Sequence, residues 1–271
     1  MSQRDERPWP RISIVTPCLN AAAHLEQAMA SVLSQGYPNL EYVVVDGGSS
    51  DGSVEMIRRH ADRLAWWVSE PDRGHADALN KGFARTSGEI MGWINADDAL
   101  HVGSLRLLAR LFGEFPEMEW LTGQASHLDE HGSIVWVRPP QVWSRLGFLA
   151  GDYRWIQQES TFWRRSLWQR AGARISEEHQ LACDFELWVR FFRHARLFAT
   201  DGLLGAFRFH GGSRSRQRIE DYEREAREIV FAELPRLLAE GLPAEGVDTA
   251  SGPPPLLQFD WRTMGYRRCG K

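Results

Sequence analysis

Apolar and polar positions in the first hundred residues change period in regular alternation. Short runs rich in β-branched residues, Ile12–Val15 and Leu40–Val45, predict strands, and Leu64–Val68 and Ile90–Ile94 continue the series. Between them, Ala22–Leu33, Val54–Arg63 and Ala76–Arg85 repeat apolar residues every three or four positions, the spacing of one helix face. Strand and helix in this order predict an α/β fold with a mainly parallel central sheet and helices on both faces.

Beyond Val102 the alternation loosens. Leu105–Phe115 predicts a helix, Trp120–Gly123 and Ile134–Val137 strands, and Val142–Leu149 a short helix. Ser166–Ala171 and Phe185–His194 predict further helices, and Ile219–Glu240 a long, charge-rich one. Gly241–Pro255, rich in Gly, Pro and Ala, predicts a linker to a weakly ordered tail. The expected organisation is an N-terminal tail over 1–10, one domain over 11–218 and a C-terminal helix and tail over 219–271. Within the domain, 11–100 and 101–218 form two functional halves.

The chain of 271 residues is 43% hydrophobic and 25% charged, enough to bury a sizeable core. A net charge of -4 supplies no general attraction for nucleic acid, and no such partner is expected. Cys18, Cys183 and Cys269 are scattered and form no CxxC pair, which argues against a disulfide framework or structural zinc and for a reducing compartment. Met1–Pro10 lacks an apolar signal core and no run is long enough to span a bilayer. The expected location is cytoplasmic, with peripheral contact at the inner face of the membrane left open. Of twelve tryptophans, Trp66, Trp67, Trp155, Trp163 and Trp168 cluster around polar segments. Their flat faces suit sugar rings, although packing is the default reading for each.

Each of the first four strands ends in a polar loop: Thr16-Pro17-Cys18-Leu19-Asn20, then Asp46 to Ser53, then Ser69 to Gly74, then Asn95-Ala96-Asp97-Asp98. In a parallel sheet these ends share one rim, where ligands bind. The adjacent carboxylates of Asp97 and Asp98 repel each other unless a cation intervenes, and hard oxygen ligands suit Mg2+ or Mn2+ shared with substrate phosphates. The competing reading is an Asp-rich turn that caps a helix starting near His101. The Gly-rich loop after Asp46 offers backbone amides to an anion, but it is not GxGxxG and follows the second strand, so a Rossmann dinucleotide site is poorly supported. Asp46 can accept hydrogen bonds from a base or ribose, or close its own turn.

Taken in order, these motifs resemble the family 2 glycosyltransferases of GT-A fold. The resemblance runs through Thr16-Pro17…Asn20, Val45-Asp46-Gly47-Gly48-Ser49-Ser50-Asp51-Gly52-Ser53, Ser69-Glu70-Pro71-Asp72-Arg73-Gly74, Asp77-Ala78-Leu79-Asn80-Lys81-Gly82, Ser87-Gly88-Glu89 and Asn95-Ala96-Asp97-Asp98. It continues through Gln157 to Arg165, Asp184-Phe185-Glu186-Leu187-Trp188-Val189-Arg190 and Phe207-Arg208-Phe209-His210, and so covers about Arg11 to Ser215. No single motif is specific; their shared order and spacing carry the match.

The resemblance implies an inverting, metal-assisted hexosyltransferase that uses a nucleotide-diphosphate sugar as donor. A saccharide or lipid-linked molecule would be its acceptor, in bacterial surface polysaccharide or glycoconjugate assembly. Residues 11–100 would then bind the nucleotide sugar and 101–218 the acceptor. Thr16, Pro17 and Asp46 match positions that hold the nucleoside, with Asn20, Gly48, Ser49 and Asp51 in the same loops. Arg73 matches a basic position near the nucleotide, with Asp77, Asn80 and Lys81 lining that pocket. Asn95 and Asp97 fall in the acidic motif that touches ribose, and Asp97, Asp98 and His210 are the candidate ligands of Mg2+ or Mn2+. Asn95 stands where family members often carry Asp, and Cys183-Asp184 where many carry Glu-Asp. Asp184 matches the catalytic base, its alternative being the N-cap of a helix opening at Phe185, and Glu159 or Glu186 the next candidates for the base. Gln157, Gln158 and Trp163 are acceptor-side candidates by resemblance. His210 is otherwise a structural histidine, and Arg214, Arg216 and Arg218 bind an anion or form a solvated face. Two other functions remain open: a sugar-phosphate nucleotidyltransferase, whose Gly-rich basic loop after the first strand is missing here, and a nucleotide-sugar-binding protein without catalysis.

Overall fold

The β-branched runs of the N-terminal half form the centre of a nine-stranded sheet in the computed structural model, which describes residues 9–151, 156–213, 217–240 and 255–269. β1 (Ile12–Cys18) pairs in parallel with β2 (Leu40–Asp46) and β4 (Ile90–Trp93), and β3 (Trp66–Ser69) adds to β2 at the edge. On the other side of β4, β9 (Thr161–Arg164) runs antiparallel between β4 and β6 (Trp120–Thr122). β10 (Leu197–Thr200) and β12 (Leu256–Asp260) then continue in parallel, and β13 (Gly265–Cys269) closes the edge as the hairpin partner of β12. A smaller sheet, in the order β5 (Ala99–Leu100), β11 (Gly205–Arg208), β7 (Ser126–Leu128), β8 (Ile134–Val137), stands beside it.

Alternation along the central strands sends side chains to two apolar layers. Ile12, Ile14, Val44, Ile90 and Phe162 pack under α1 (Leu25–Leu33), α2 (Ser53–Arg59) and α4 (Ser104–Glu114). Val15, Val43, Val45 and Met91 pack on the opposite face under α3 (His75–Phe83), α5 (Arg145–Leu149), α6 (Arg165–Arg170), α7 (Cys183–Phe192) and α8 (Ile219–Ala239). The α/β expectation, with a mainly parallel sheet covered on both faces, is borne out.

Most of the tryptophans singled out as sugar-stacking candidates belong to this second layer. Trp93, Trp120, Trp163 and Trp188 are buried and meet ring to ring, with Trp93 stacked on Trp188 at 6.0 Å and Trp163 edge-on to Trp93 at 5.6 Å. Trp168 joins them through Phe83, at 5.1 Å. Aromatic rings in such offset and edge-on contacts contribute to packing beyond their buried area.

Several boundaries differ from expectation. The second helix stops at Arg59 and a separate 3-10 turn occupies Ala61–Arg63, while the short helix expected from Val142 begins at Arg145, capped by the Ser144 hydroxyl. The tail after the Gly/Pro-rich segment is not weakly ordered: Leu256–Asp260 and Gly265–Cys269 extend the main sheet. The linker itself, 241–254, lies outside the described residues, as do 1–8, Trp155, Arg214 and Arg216. No helix among the described residues is long and apolar enough to cross a membrane.

Candidate functional site

The rim where β1, β2, β3 and β4 end is built by loops that hold one another. Cys18 lies opposite Asp46, and Asp46 opposite Ser69, in the parallel register. The Asp46 carboxylate is buried and accepts hydrogen bonds from the Gly48 and Ser49 amides at 3.0 and 2.9 Å, and from the Ser49 and Ser69 hydroxyls at 2.5 and 2.7 Å. Burial opposes its ionisation, but these donors outweigh burial and hold it below the usual carboxylate range. Asp46 thus closes its own turn and shows no face to a ligand here. Burial and the nearby Asp46 charge push the adjacent Cys18 thiol up to about 12, so it stays protonated.

The other nucleotide-side candidates fall into two groups. Thr16 and Pro17 are buried within β1, the Thr16 hydroxyl 2.9 Å from that of Tyr42. The rest of the first group tie loops together. Asn20, at φ +49°, receives the Ser50 amide on its side chain and donates its own amide to Ser49 Oγ, while Asp51 accepts the Ala22 amide at 2.8 Å. The second group is an ionic strap. Arg73 meets Asp77 at 2.8 Å and holds Glu177 through two nitrogens at 3.1 and 3.0 Å. Lys81 lies between Asp77 and Glu70, and the Asn80 side chain exchanges two hydrogen bonds with the backbone of Ile175. Arg73, just before α3, and Asn80, within it, hold the 175–177 segment, while Lys81 ties α3 to Glu70. Asp72, which the motif reading passed over, leans onto Gly47 so closely that a Cβ there would lie 2.5 Å from its Oδ2. Gly47 is the sequence signal for that contact.

The acidic turn divides its two carboxylates between inside and outside. Asp98 is fully buried; its Oδ1 accepts the Arg208 amide of β11 and its Oδ2 the Asn95 side-chain amide, both at 2.9 Å. Burial and the neighbouring Asp97 raise its pKa. Both oxygens are engaged, so Asp98 buttresses the turn and is not placed to bind a metal as expected. Asp97 turns outward, its Oδ2 2.9 Å from Nε2 of His210, whose ring stands 4.7 Å from that of His24. One carboxylate and one imidazole, both part-exposed, fit a divalent cation that takes its remaining oxygens from a diphosphate. Among the described residues no group of three or more His, Cys, Asp or Glu side chains could hold such an ion unaided.

A cavity of about 460 Å³ opens beside this turn, large enough for a sugar unit. Asn95, the adjacent Gln157 and Gln158, and Asp184 meet there from three separate parts of the chain. Asn95 donates to Gln158 Oε1 at 3.3 Å, and Gln158 donates to the Trp93 carbonyl at 2.7 Å, which joins the acidic turn to the cavity wall. Asn95 Oδ1 is buried without a hydrogen-bond partner, an acceptor that a ligand hydroxyl or a cation would satisfy. Asp184 lies in the first turn of α7, where Ala182 is the N-cap and offers no side-chain cap, so the capping alternative does not hold. Its Oδ1 accepts the Phe185 amide at 2.8 Å and lies 3.4 Å from the Tyr222 hydroxyl. Desolvation by the cavity walls pushes its pKa up to about 6. Glu159 shares the cavity and is raised further, to about 7, first by burial and then by the charges of Asp184 and Asp97.

Trp163, expected on the acceptor side, is fully buried in the aromatic layer and cannot reach a substrate. Glu186 ion-pairs with Arg190 at 2.7 Å, and Arg218 with Asp221 at 2.8 Å. Cavity residues to which the motifs assigned no role include His75, His127, Phe207, Phe209 and Tyr222. Phe207 and Phe209, two apart on one extended segment and packed against His127, were legible as a same-face pair. Tyr222 left no signal, since it lies on a charge-rich helix.

Comparison with known proteins agrees with this architecture. The profile described as glycosyl transferase family 2 matches residues 13–117. An uncharacterized glycosyltransferase of Mycobacterium tuberculosis is 30% identical over 185 residues, which cover 67% of this chain and 68% of that protein. Another, from Rickettsia prowazekii, is 24% identical over 228 residues, covering 79% and 70%. Among solved structures, S. aureus TarS 1-349 in complex with UDP-GlcNAc superimposes with a TM-score of 0.67 at 17% identity, over 83% of this chain and 66% of that one. This chain therefore spans just under two thirds of the TarS chain. Mannosyltransferase PcManGT from Pyrobaculum calidifontis, in complex with GDP-Man and Mn2+, gives 0.58 at 20% identity, over 87% and 80%. At these identities the two solved structures share the fold.

Proposed function

The chain belongs to glycosyl transferase family 2, and from that premise we propose that it moves a hexosyl group, with inversion, from a nucleotide-diphosphate sugar to an acceptor hydroxyl. The observation that carries this reading is that Asp184 lines a sugar-sized cavity which Asn95 of the acidic turn also lines. In the proposed step the acceptor oxygen attacks the anomeric carbon while its proton passes to Asp184. The bond from that carbon to the diphosphate breaks, and the nucleoside diphosphate leaves with the electron pair. A diphosphate is a good leaving group, so one carboxylate suffices where a glycosidase needs two. A pKa near 6 leaves Asp184 ionised at neutral pH yet basic enough to take the proton.

Asp97 and His210 would hold Mg2+ or Mn2+, and the bound ion would stabilise the charge that develops on the diphosphate. The loops built on Asn20, Asp46 and Asp72, within 11–100, receive the nucleoside, and 101–218 receives the acceptor, a saccharide or lipid-linked molecule. Assembly of bacterial surface polysaccharide or glycoconjugate, in the cytoplasm or at the inner membrane face, is the setting this chemistry suits. The GDP-Man and Mn2+ bound by the mannosyltransferase of the same fold support a nucleotide sugar and a metal. The direct test is turnover of a panel of nucleotide sugars by wild type and Asp184→Asn. Loss of about 10²–10⁴-fold in rate with donor affinity intact supports the base assignment, and undiminished turnover rejects it.

A further inference from the structure

The cavity beside Asp184 carries a second carboxyl that the transfer step leaves unused. Glu159 lies in the 3-10 turn Gln158–Ser160, is 3% exposed, and faces the cavity. The Gln157 side-chain amide donates to it, and Gln157 is itself fixed by hydrogen bonds with the Ser126 backbone at 2.9 and 2.8 Å. The Glu159 backbone is pinned as well: Gly205 of β11 rests on its carbonyl, where a Cβ would come within 2.0 Å. This is a built position, with a carboxyl held at a chosen point of the wall.

The groups facing Glu159 set what it can receive. Asp184 and Asp97 are close enough to act on it electrostatically, and both are acids. His75, His127, Tyr222 and the Cys183 thiol complete the titratable lining, and Lys and Arg are absent from the lining among the described residues. The remaining wall is apolar and aromatic, with Trp93, Ile156, Leu181, Phe207, Phe209 and Ile219. Two carboxyls and three amides among aromatic faces suit a hydroxyl-rich, uncharged ring, since hydroxyls donate to the carboxyls and C–H faces lie on the aromatics. An anionic ring would bring a third negative charge into a desolvated space, which opposes its binding by about tenfold or more.

We propose that Glu159 is a specificity-determining residue, accepting a hydrogen bond from a hydroxyl of a neutral sugar acceptor and excluding acceptors that carry a carboxylate or phosphate beside the reacting hydroxyl. This deepens the transferase reading and rests on it. Exclusion by an unpaired like charge is a recurrent device of selective sites, and it places Glu159 in recognition, with proton transfer left to Asp184.

The test measures binding, by saturation-transfer NMR, of methyl glucoside, galactoside and mannoside against their 6-carboxylate counterparts. It is run with a nucleoside diphosphate present, at pH 8, above the value of about 7 to which Glu159 is raised. Wild type should bind at least one hexoside about tenfold tighter than its hexuronide, and Glu159→Gln should shrink that ratio severalfold. Glu159→Asp, which keeps the charge, should retain the ratio even if both affinities fall. A merely structural role would weaken both ligands together and leave the ratio unmoved. Equal or tighter hexuronide binding by wild type, an unchanged ratio in Glu159→Gln, or no saturable hexoside binding overturns the proposal. Nucleotide-sugar hydrolysis, measured in parallel, separates the two claims. Turnover without discrimination removes only the role of Glu159, whereas absence of both binding and hydrolysis across the nucleotide-sugar panel removes the transferase reading with it.

Discussion

Asp97 and His210 are separated by 113 positions in the chain, yet their side chains meet at 2.9 Å on the rim beside the cavity. The contact exists because Arg208, on the strand just before His210, donates its amide to Asp98 and its guanidinium to the Asp97 carbonyl. The acidic turn and the segment after β11 are therefore one unit. For a metal this pairing supplies two ligands of different chemistry instead of two adjacent carboxylates.

The metal prediction follows from that pairing. Mn2+ should tighten nucleoside diphosphate binding in wild type, and Asp97→Ala or His210→Ala should reduce the enhancement. Asp98→Asn should keep the enhancement while costing about 1–3 kcal/mol of stability, because a buried hydrogen-bonded acceptor is perturbed. Calorimetry with and without Mn2+, together with denaturant melts, separates these outcomes. Loss of the Mn2+ effect in Asp98→Asn alone would return Asp98 to the metal.

Catalysis should carry the titration of Asp184. A base must be ionised, so kcat/KM should fall about tenfold per pH unit below roughly pH 6 and level off above it. Tyr222→Phe removes the hydroxyl that lies 3.4 Å from Asp184 Oδ1 and should move the inflection upward. A pH–rate profile of both proteins checks this; an acid limb that does not shift would mean that the Tyr222 hydroxyl does not support the carboxylate.

The N-terminal half was legible because its chemistry is local: each strand and each helix carries its own period, from Ile12 to Ile94. β9 was not, because Thr161–Arg164 becomes a strand only through antiparallel partners at Trp120–Thr122 and Ile90–Met91, which are distant in the chain. The same holds for the C-terminal hairpin, whose pairing with β10 is invisible when a Gly/Pro-rich stretch precedes it. At the site, the motifs located the rim and the Asp184 helix but not side-chain direction. Asp97 and Asp98 are adjacent letters of like chemistry; the Arg208 amide decides which one turns inward. Arg73 and Lys81 read as residues of the nucleotide pocket; that Glu177 and Glu70 stand against them is visible only in the fold.

The C-terminal helix should be integral to stability. Glu233 of α8 is 2% exposed and takes Arg193 through contacts at 3.0, 3.1 and 2.5 Å, with Arg145 at 3.2 Å. Glu233→Ala leaves two partly buried guanidinium groups without that partner. The expected cost is roughly 1–3 kcal/mol, below that of a fully buried pair because both arginines keep some solvent. Urea denaturation of this variant against an exposed control such as Glu228→Ala, which should be near neutral, checks the difference.

Glu159 should leave a signature in the pH dependence of stability. Its pKa is raised from 4.5 to about 7 on folding, so the folded chain holds the proton more tightly than the unfolded chain. Between those values the folded state binds more protons, and the contribution of Glu159 to stability declines as pH rises, fully favourable below 4.5 and lost above 7. Glu159→Gln removes the titration while keeping size and hydrogen-bonding capacity. The variant should therefore gain stability relative to wild type on going from pH 5 to pH 8, by about 1–3 kcal/mol. Taking the difference between two pH values cancels any constant loss from altered contact with Gln157. Denaturant melts of both proteins at the two pH values give the quantity directly, and a zero or opposite difference would mean that Glu159 is solvated or paired in solution.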